Sequence, residues 1–147
     1  MSWSLRASTA ADAEWIAELR AEVMRPDLER LGVFDPVRVR QRFLDAFDAR
    51  VTWIIVIDGA DAGSIAARPA ADGVWIEHFY LAPATQGRGI GGAVLGRVLG
   101  EQSGTVRINV LQGSPARRLY ERQGFVLDSE DDVDAYLVRR ASVPKAG

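Results

Sequence analysis

The stretch PATQGRGIGG, residues 83–92, carries four glycines within six residues. It follows a strand-like apolar run, VWIEHFYL at residues 74–81, and it precedes a helix-like run at about residues 89–102. A helix start offers free backbone N–H groups and the positive end of the helix dipole, and both favour a phosphate group. Glycine has no Cβ, so the backbone can approach such a ligand closely. We predict a phosphate-binding loop with Arg88 as an additional contact; the alternative is that the glycines only allow tight packing of the helix on the sheet.

Two other glycine-rich motifs fit this stretch less well. Gly87-x-Gly89-x-x-Gly92 matches the dinucleotide fingerprint, but such a site needs an acidic residue about twenty residues further on, at the end of the next strand. Here that strand ends Val110-Leu111-Gln112. A Walker loop needs Gly-Lys followed by Ser or Thr, and this sequence is absent.

Composition limits the class of protein. The 147 residues are enough for one domain, which we expect to span 1–147, and 48% hydrophobic with 26% charged residues is typical of a soluble globular chain. The formal net charge of −2 argues against nucleic acid as a partner. No apolar run approaches the ~20 residues of a membrane span, so we expect no membrane partner.

The chain has no cysteine and one histidine, His78. This composition excludes disulfides, thiol nucleophiles and multi-histidine metal sites, so we expect no metal. It also fits a reducing compartment, and we expect a cytoplasmic protein. The sequence leaves the oligomeric state open, with a homodimer as one alternative.

Hydrophobic periodicity and turn residues predict the order of elements. Pro26 should end the first helix, and Asp35-Pro36 should start the second. The run at 51–57 reads as a strand buried on both faces. The order β, α, α, β, β, β, α, β, α, β, β indicates an α/β (α+β) fold. The predicted strands are 4–6, 51–57, 63–68, 74–81, 105–111, 124–127 and 135–140, and the predicted helices are 10–24, 36–48, 89–102 and 114–122.

Two motifs resemble those of the GNAT superfamily of N-acetyltransferases. Gln86-x-x-Gly89-x-Gly91, three residues after the strand-ending LAP, is similar to that superfamily's acetyl-CoA pyrophosphate loop. The segment INVLQGSPARRLYERQGF, residues 108–125, is similar to its second signature: a strand, a polar linker, and a helix with a tyrosine before Gly-Phe. Many members carry asparagine in that linker, where this chain has Gly113-Ser114. The resemblance covers nearly the whole chain.

The resemblance implies a fold and a cosubstrate. The fold would be a GNAT-like domain, with a mixed, mostly antiparallel twisted sheet of about seven strands and about four flanking helices. Acetyl-CoA would be the cosubstrate, with its pantetheine arm along the fourth strand and a backbone N–H near Leu81 bonded to the thioester oxygen. The implied contacts are the strand residues Phe79, Tyr80 and Leu81, the loop residues Gln86, Gly87, Arg88, Gly89, Ile90, Gly91 and Gly92, and Ser114 at the helix start.

Tyr120 matches the family's general acid, which would protonate the leaving thiolate. The alternative is a core tyrosine on an amphipathic helix. Glu77 is the only carboxylate in 74–81 and should share a face with Phe79 and Leu81. It is a candidate base for the acceptor's ammonium, directly or through water; the alternative is a rim glutamate that only binds a cation. His78 should point the other way, as a packed or solvent-facing residue.

The predicted function is acetyl transfer from acetyl-CoA to a primary amine of a small molecule. A protein N-terminus or lysine as acceptor, and a non-catalytic acyl-CoA-binding module, remain alternatives. The acceptor site is expected between the two N-terminal helices and the strand ends. Its candidate residues are Glu29, Phe34, Asp35, Trp53 and Trp75, with Asp131 or Asp132 as further carboxylates.

Overall fold

The computed structural model describes residues 2–141 of the chain. Within them the predicted order of seven strands and four helices is confirmed. Two short 3-10 turns, Ala10–Asp12 and Pro83–Thr85, precede α1 and the glycine loop. The elements are β1 (Trp3–Ala7), α1 (Ala13–Arg30), α2 (Pro36–Ala46), β2 (Thr52–Ile57), β3 (Ala60–Ala70), β4 (Gly73–Leu81), α3 (Ile90–Gly100), β5 (Val106–Leu111), α4 (Ala116–Arg122), β6 (Val126–Glu130) and β7 (Asp134–Arg139).

The strands form one mixed, mostly antiparallel sheet in the order β1-β2-β3-β4-β5-β7-β6. Only the β4–β5 pair is parallel. This pair is short, because it runs only from Val74 opposite Val106 to Ile76 opposite Ile108. Beyond Ile76 the two strands are no longer hydrogen-bonded neighbours, although both continue. The sheet therefore has a gap at the carboxyl ends of β4 and β5.

Helices cover both faces of the sheet. One apolar cluster joins Val94 and Leu95 of α3 to Ile55 of β2. A second cluster joins Phe43 of α2 to Ile54 of β2. Because neighbouring residues of a strand point to opposite faces, the two clusters lie on opposite sides of the sheet. We call these sides the α3–α4 face and the α1–α2 face.

A β-bulge interrupts β4 directly after its pairing with β5 ends. Between the paired positions 64–80 and 66–77, His78 and Phe79 of β4 lie opposite the single residue Ile65 of β3. His78 adopts a positive φ of 49°, which is uncommon for a residue other than glycine. Such a bulge shifts the alternation of side chains along the strand by one position.

The bulge places Glu77 on a different face from the predicted one. Ile76, Phe79 and Leu81 all pack against the α3–α4 cluster, and Glu77 follows Ile76 in regular strand geometry. Glu77 therefore points to the α1–α2 face. The prediction that Glu77 shares a face with Phe79 and Leu81 is wrong, because strict alternation does not hold across the bulge.

The prediction that Pro26 ends the first helix is also wrong. Helix α1 continues through Pro26 to Arg30. Its last turn is held by a distant segment, since the Arg30 guanidinium donates hydrogen bonds to the carbonyl of Gln112 and to the carboxylate of Asp27. The same guanidinium packs against Gly113, where an added Cβ would lie 2.8 Å from Nη1. These tertiary contacts offset the backbone hydrogen bond that proline cannot donate.

Two smaller predictions need correction. Strand β2 is not buried on both faces, because Trp53 near its start is 45% exposed. Helix α4 begins at Ala116, two residues after the predicted start at Ser114. The Ser114 hydroxyl accepts the Ala116 N–H at 3.3 Å, so it still satisfies one donor at the start of α4.

Candidate active site

A cavity of about 670 Å³ occupies the gap between β4 and β5. The two strands, α1, the glycine loop and α4 all contribute to its lining. It reaches both faces of the sheet, because Glu77 from the α1–α2 face and Tyr120 from the α3–α4 face both line it. The cavity brings together the predicted site residues Glu77, Phe79, Tyr80, Leu81, Gln86, Gly87, Gly89, Gly91, Gly92, Ser114 and Tyr120.

Two predicted contact residues, Arg88 and Ile90, do not line the cavity with their side chains. Arg88 is exposed on the loop. Ile90 is only 5% exposed and belongs to the apolar cluster under α3. Ile90 can therefore contact a ligand only through its backbone.

The cavity-facing edge of β4 is open for pairing. From residue 77 to 81, β4 has a strand neighbour on the β3 side and none on the β5 side among the described residues. Such an edge presents backbone N–H and C=O groups that an extended chain can pair with. The geometry allows an extended ligand to lie along β4 as an additional strand.

The glycine loop leads from the open edge into helix α3. Gly87 and Gly89 have φ of 76° and 79°, a left-handed conformation that strongly favours glycine. The side chain of Gln86 donates to the Leu81 carbonyl at 2.9 Å and so fixes the loop to the end of β4. Gly89 is the N-cap of α3, and the first N–H groups after it have no partner within the helix. These groups can bind an anion at the mouth of the cavity.

Gly91 and Gly92 lie on the side of α3 that faces β4 and α4. An added Cβ at Gly91 would be 3.4 Å from Leu81 Cδ1, and one at Gly92 would be 3.4 Å from Leu119 Cδ1. The Gln123 side chain also donates to the Gly92 carbonyl at 3.1 Å. These two glycines allow close packing of α4 on α3, whereas the backbone conformation explains Gly87 and Gly89.

Tyr120 is held in the cavity by two aromatic rings. Its ring centroid lies 6.5 Å from that of Phe79 and 6.3 Å from that of Phe125. The residue is 7% exposed, and burial raises the pKa of its phenol well above the usual range. The hydroxyl makes no hydrogen bond within residues 2–141 and is open to the cavity. At neutral pH it is a protonated donor without a protein partner in that range.

Glu77 has a charged neighbour, although the other residues of its strand are mostly apolar or aromatic. Its carboxylate Oε1 pairs with Nε of Arg68, which projects from the neighbouring strand β3. The Glu77 side chain is 28% exposed and lines the cavity. Its second carboxylate oxygen, Oε2, makes no hydrogen bond within residues 2–141 and can bind a ligand in the cavity.

His78 and Tyr80 form a pair that the sequence analysis missed. His78 was predicted to point away from Glu77, but its ring packs edge-on against Phe43 of α2, at 5.0 Å, on the same α1–α2 face. His78 Nδ1 lies 3.1 Å from the Tyr80 hydroxyl. Burial lowers the pKa of His78 to about 4 and raises the pKa of Tyr80 to about 12. Both groups are therefore neutral at pH 7. Their two-residue spacing in the sequence was the signal that could have indicated this pair.

Helix α1 lines one side of the cavity, the side nearest to the acceptor site predicted between the N-terminal helices and the strand ends. Its lining residues are Arg20, Val23, Met24 and Asp27. They have the spacing i, i+3, i+4, i+7 of one helix face, so periodicity could have identified them once α1 was known to pass Pro26. The predicted residues Glu29, Phe34, Asp35, Trp53, Trp75, Asp131 and Asp132 do not line this cavity.

Asp35 and Asp131 have structural roles instead. Asp35 caps α2 by accepting the N–H groups of Val37 and Arg38. Asp131 accepts the N–H groups of Val133 and Asp134. Each carboxylate therefore stabilises its own turn, and neither reaches the cavity.

Two searches of the described residues concern other kinds of site. Residues 2–141 contain no cluster of three or more acidic, histidine or cysteine side chains that could hold a metal ion. No helix in that range has both the length and the apolar content needed to cross a membrane.

The sequence matches one family of known proteins. Residues 48–127 match the family described as "Acetyltransferase (GNAT) domain". The matched segment runs from just before β2 into β6, and so includes β4, the glycine loop, β5 and α4. No curated protein sequence matches the chain significantly.

The fold is similar to that of solved acetyltransferases. The PaiA N-acetyltransferase from Thermoplasma acidophilum, in complex with coenzyme A, aligns with a TM-score of 0.76 and 17% identity over 95% of this chain and 99% of that chain. The ribosomal-protein-S18-alanine N-acetyltransferase from Escherichia coli aligns with a TM-score of 0.71 and 17% identity over 99% of this chain and 97% of that chain. The N-acetylglutamate synthase from Neisseria gonorrhoeae, complexed with coenzyme A and N-acetyl-glutamate, aligns with a TM-score of 0.66 and 20% identity over 97% of this chain and 36% of that chain. At these identities the likeness concerns the fold.

Proposed function

The chain belongs to the GNAT acetyltransferase family, and from this premise we propose that it transfers an acetyl group from acetyl-CoA to the primary amine of a small molecule. The observation that carries the proposal is the cavity between β4 and β5. That cavity joins an open strand edge, an anion-binding loop and a buried phenol. An acetyltransferase needs a site for the cofactor arm, a site for its phosphates and a proton donor for its thiolate.

Acetyl-CoA would bind along the glycine loop and the open edge of β4. The backbone of residues 87–92 would hold the pyrophosphate at the start of α3. The backbone of Phe79 to Leu81 would pair with the pantetheine arm. A backbone N–H near Leu81 would donate to the thioester oxygen and stabilise the negative charge that develops there. Arg88, on the exposed side of the loop, would add a charge-assisted contact to a phosphate.

The reaction would proceed by direct attack of the amine on the thioester. The amine nitrogen forms a bond to the carbonyl carbon, and the carbon–sulfur bond breaks. Glu77, on the α1–α2 face of the gap, accepts the proton of the acceptor's ammonium, directly or through water. Tyr120, on the α3–α4 face, donates a proton to the departing thiolate; the nitrogen, now bonded to the carbonyl carbon, loses its second proton to solvent, and the phenolate regains a proton from solvent. The acceptor then enters from the side of α1, and the thiol leaves on the side of α4.

The buried setting of Tyr120 suits this role. A phenol with a raised pKa is protonated at every pH at which the enzyme is expected to work. The same desolvation makes a thiolate in the cavity a stronger base than it is in water. Burial also makes the phenol a weaker acid, so the two shifts offset each other, and the buried setting supplies a donor that is still protonated when the thiolate forms.

The position of α1 favours a small acceptor over a protein. Four residues of α1 lie over the acceptor side of the cavity, so a substrate has to fit beneath that helix. A protein N-terminus or lysine side chain remains the second candidate acceptor. A non-catalytic acyl-CoA-binding module is the third reading, and Tyr120 with its unpartnered hydroxyl argues against it.

A thiol-release assay tests the proposal. The purified protein is incubated with acetyl-CoA and a panel of small primary amines, with free-N-terminal and lysine-containing peptides in parallel. We expect release of CoA that depends on a small amine. Release with the peptides alone would identify a protein acetyltransferase. Binding of acetyl-CoA without release by any acceptor would identify a non-catalytic module.

A further inference from the structure

The acceptor side of the cavity contains an arginine whose guanidinium makes one weak hydrogen bond within residues 2–141. Arg20 projects from α1 and is partly buried. Its Nε donates to the thioether sulfur of Met24 at 3.2 Å, which is a weak acceptor. Within residues 2–141 no carboxylate lies at ion-pair distance from Arg20, and its four Nη hydrogens have no acceptor. The contact with Met24 thus orients the guanidinium and leaves its outer end free.

The carboxylates on the same side of the cavity already have partners. Asp27, on the same face of α1, pairs with Arg30 Nη2 at 3.0 Å. Glu77 pairs with Arg68. Among the described residues, Arg20 is therefore the charged residue of α1 and β4 that lines the cavity without an ion-pair partner.

The remaining charged lining residues lie elsewhere. Arg122 is on α4, which packs against α3 through Leu119, so it belongs to the side of the glycine loop. Asp134 is on β7, where it accepts a hydrogen bond from the Asn109 side chain at 3.2 Å. Neither residue lies on the helix that covers the acceptor.

The charge of Arg20 acts on the groups inside the cavity. Burial is the main reason that the pKa of His78 falls to about 4, and the positive charge of Arg20 contributes in the same direction. Burial raises the pKa of Tyr80 to about 12, and Arg20 opposes that rise. Arg20 therefore acts electrostatically on both groups, and all three residues line the same cavity.

We propose that Arg20 binds a carboxylate of the acceptor, so that the acceptor is an amino acid or a similar amine that carries a carboxylate. The two Nη groups form a planar fork that matches a carboxylate. Val23 and Met24, next to Arg20 on the same helix face, provide apolar contact for the carbon chain of the acceptor. This inference rests on the proposed function, because it names the class of amine that the same site receives.

Matched acceptor pairs test the inference. Each amino acid is compared with its amide in the thiol-release assay, using the wild type, Arg20→Gln, Arg20→Lys and the control Arg42→Gln. Arg42 is exposed on α2 and lies outside the cavity. Circular dichroism and a melting curve establish that each variant is folded.

We expect the wild type to prefer the acids over the amides by roughly 10- to 100-fold in kcat/KM, the range of a charge-assisted hydrogen bond in a partly dehydrated site. Arg20→Gln should lose that factor for the acids alone, Arg20→Lys should restore part of it, and Arg42→Gln should match the wild type. Equal kcat/KM for acids and amides, or an equal loss for both in Arg20→Gln, would overturn the inference.

A binding measurement separates this inference from the proposed function. N-acetyl amino acids and their amides are titrated by calorimetry into the CoA-loaded protein. Preferential binding of the acids, lost in Arg20→Gln, supports the carboxylate site even when no acceptor in the panel is acetylated. Equal binding of acids and amides, or no binding of either by the wild type, contradicts it.

Discussion

Replacing Tyr120 with phenylalanine removes one oxygen from the centre of the cavity. The ring, with its contacts to Phe79 and Phe125, is retained. Because the hydroxyl has no hydrogen-bond partner within residues 2–141, we expect the free energy of unfolding to change by less than about 1 kcal/mol. The fold and the glycine loop should therefore be preserved.

The effect of Tyr120→Phe on turnover should be much larger than its effect on stability. Loss of a general acid typically slows a reaction by about 10²- to 10⁴-fold. Water that reaches the open hydroxyl position can partly replace the phenol, so we expect kcat to fall by roughly 10- to 1000-fold. This range corresponds to about 1.4 to 4 kcal/mol in the activation barrier.

Initial rates at saturating acetyl-CoA and acceptor measure this effect, and calorimetry measures the affinity for CoA. The matched control is Tyr136→Phe, on β7, where the tyrosine lies outside the main cavity. We expect the control to behave like the wild type and Tyr120→Phe to bind CoA normally. Wild-type kcat in a Tyr120→Phe protein with intact affinity would refute the role of Tyr120 and make it a packing residue.

Three further predictions concern the loop, the base and the buried histidine. Gly87 has a left-handed backbone and open space around it, so Asp and Asn both fit at this position. Gly87→Asp should weaken acetyl-CoA binding by about 10-fold or more relative to Gly87→Asn, because its charge repels the pyrophosphate. Equal affinities of the two variants in calorimetry would exclude a pyrophosphate there. Glu77→Gln should lower kcat more at neutral pH than at high pH, where the amine deprotonates without a base; a pH–rate profile parallel to the wild type would remove Glu77 as the base. The pKa of His78 is about 4 in the folded chain and 6.5 in the unfolded one. Between these two pH values only the unfolded chain binds the His78 proton. The contribution of His78 to the free energy of unfolding should therefore fall by about 1 to 3 kcal/mol from pH 7 to pH 4.5. Urea denaturation of the wild type and of His78→Asn, which tolerates the positive φ, measures this difference; equal declines would contradict it.

The sequence contains enough information for the order of the elements. Alternation, helical spacing and boundary residues such as Asp35-Pro36 are local signals, and the structure confirms the order of elements that they predict. Helix α1 does have a local stop signal, because Gly32 adopts a left-handed φ of 73° and the Val33 N–H bonds to the Leu28 carbonyl, but Pro26 was given more weight. Its last turn depends on Arg30 reaching Gln112, which is more than 80 residues away in the chain, so the local effect of Pro26 gave the wrong end point.

The site shows the same division between local and tertiary causes. The glycine loop and Tyr120 follow from motifs, and both line one cavity. The direction of Glu77 depends on a bulge at residues 78–79, which no turn residue marks in the sequence. The four residues of α1 that line the cavity share one helix face. The sequence indicates this face only if the helix is taken to extend past Pro26.

The most direct measurement of the central claim uses acetyl-CoA labelled with a heavy isotope in its acetyl group. The wild type is incubated with this donor and a small amine, and the mass of the amine is followed with time. The account predicts a labelled N-acetyl product that forms at the rate of CoA release, and much more slowly in Tyr120→Phe. Release of labelled acetate without an acetylated amine, or binding of acetyl-CoA with no transfer of label to any acceptor, would contradict it.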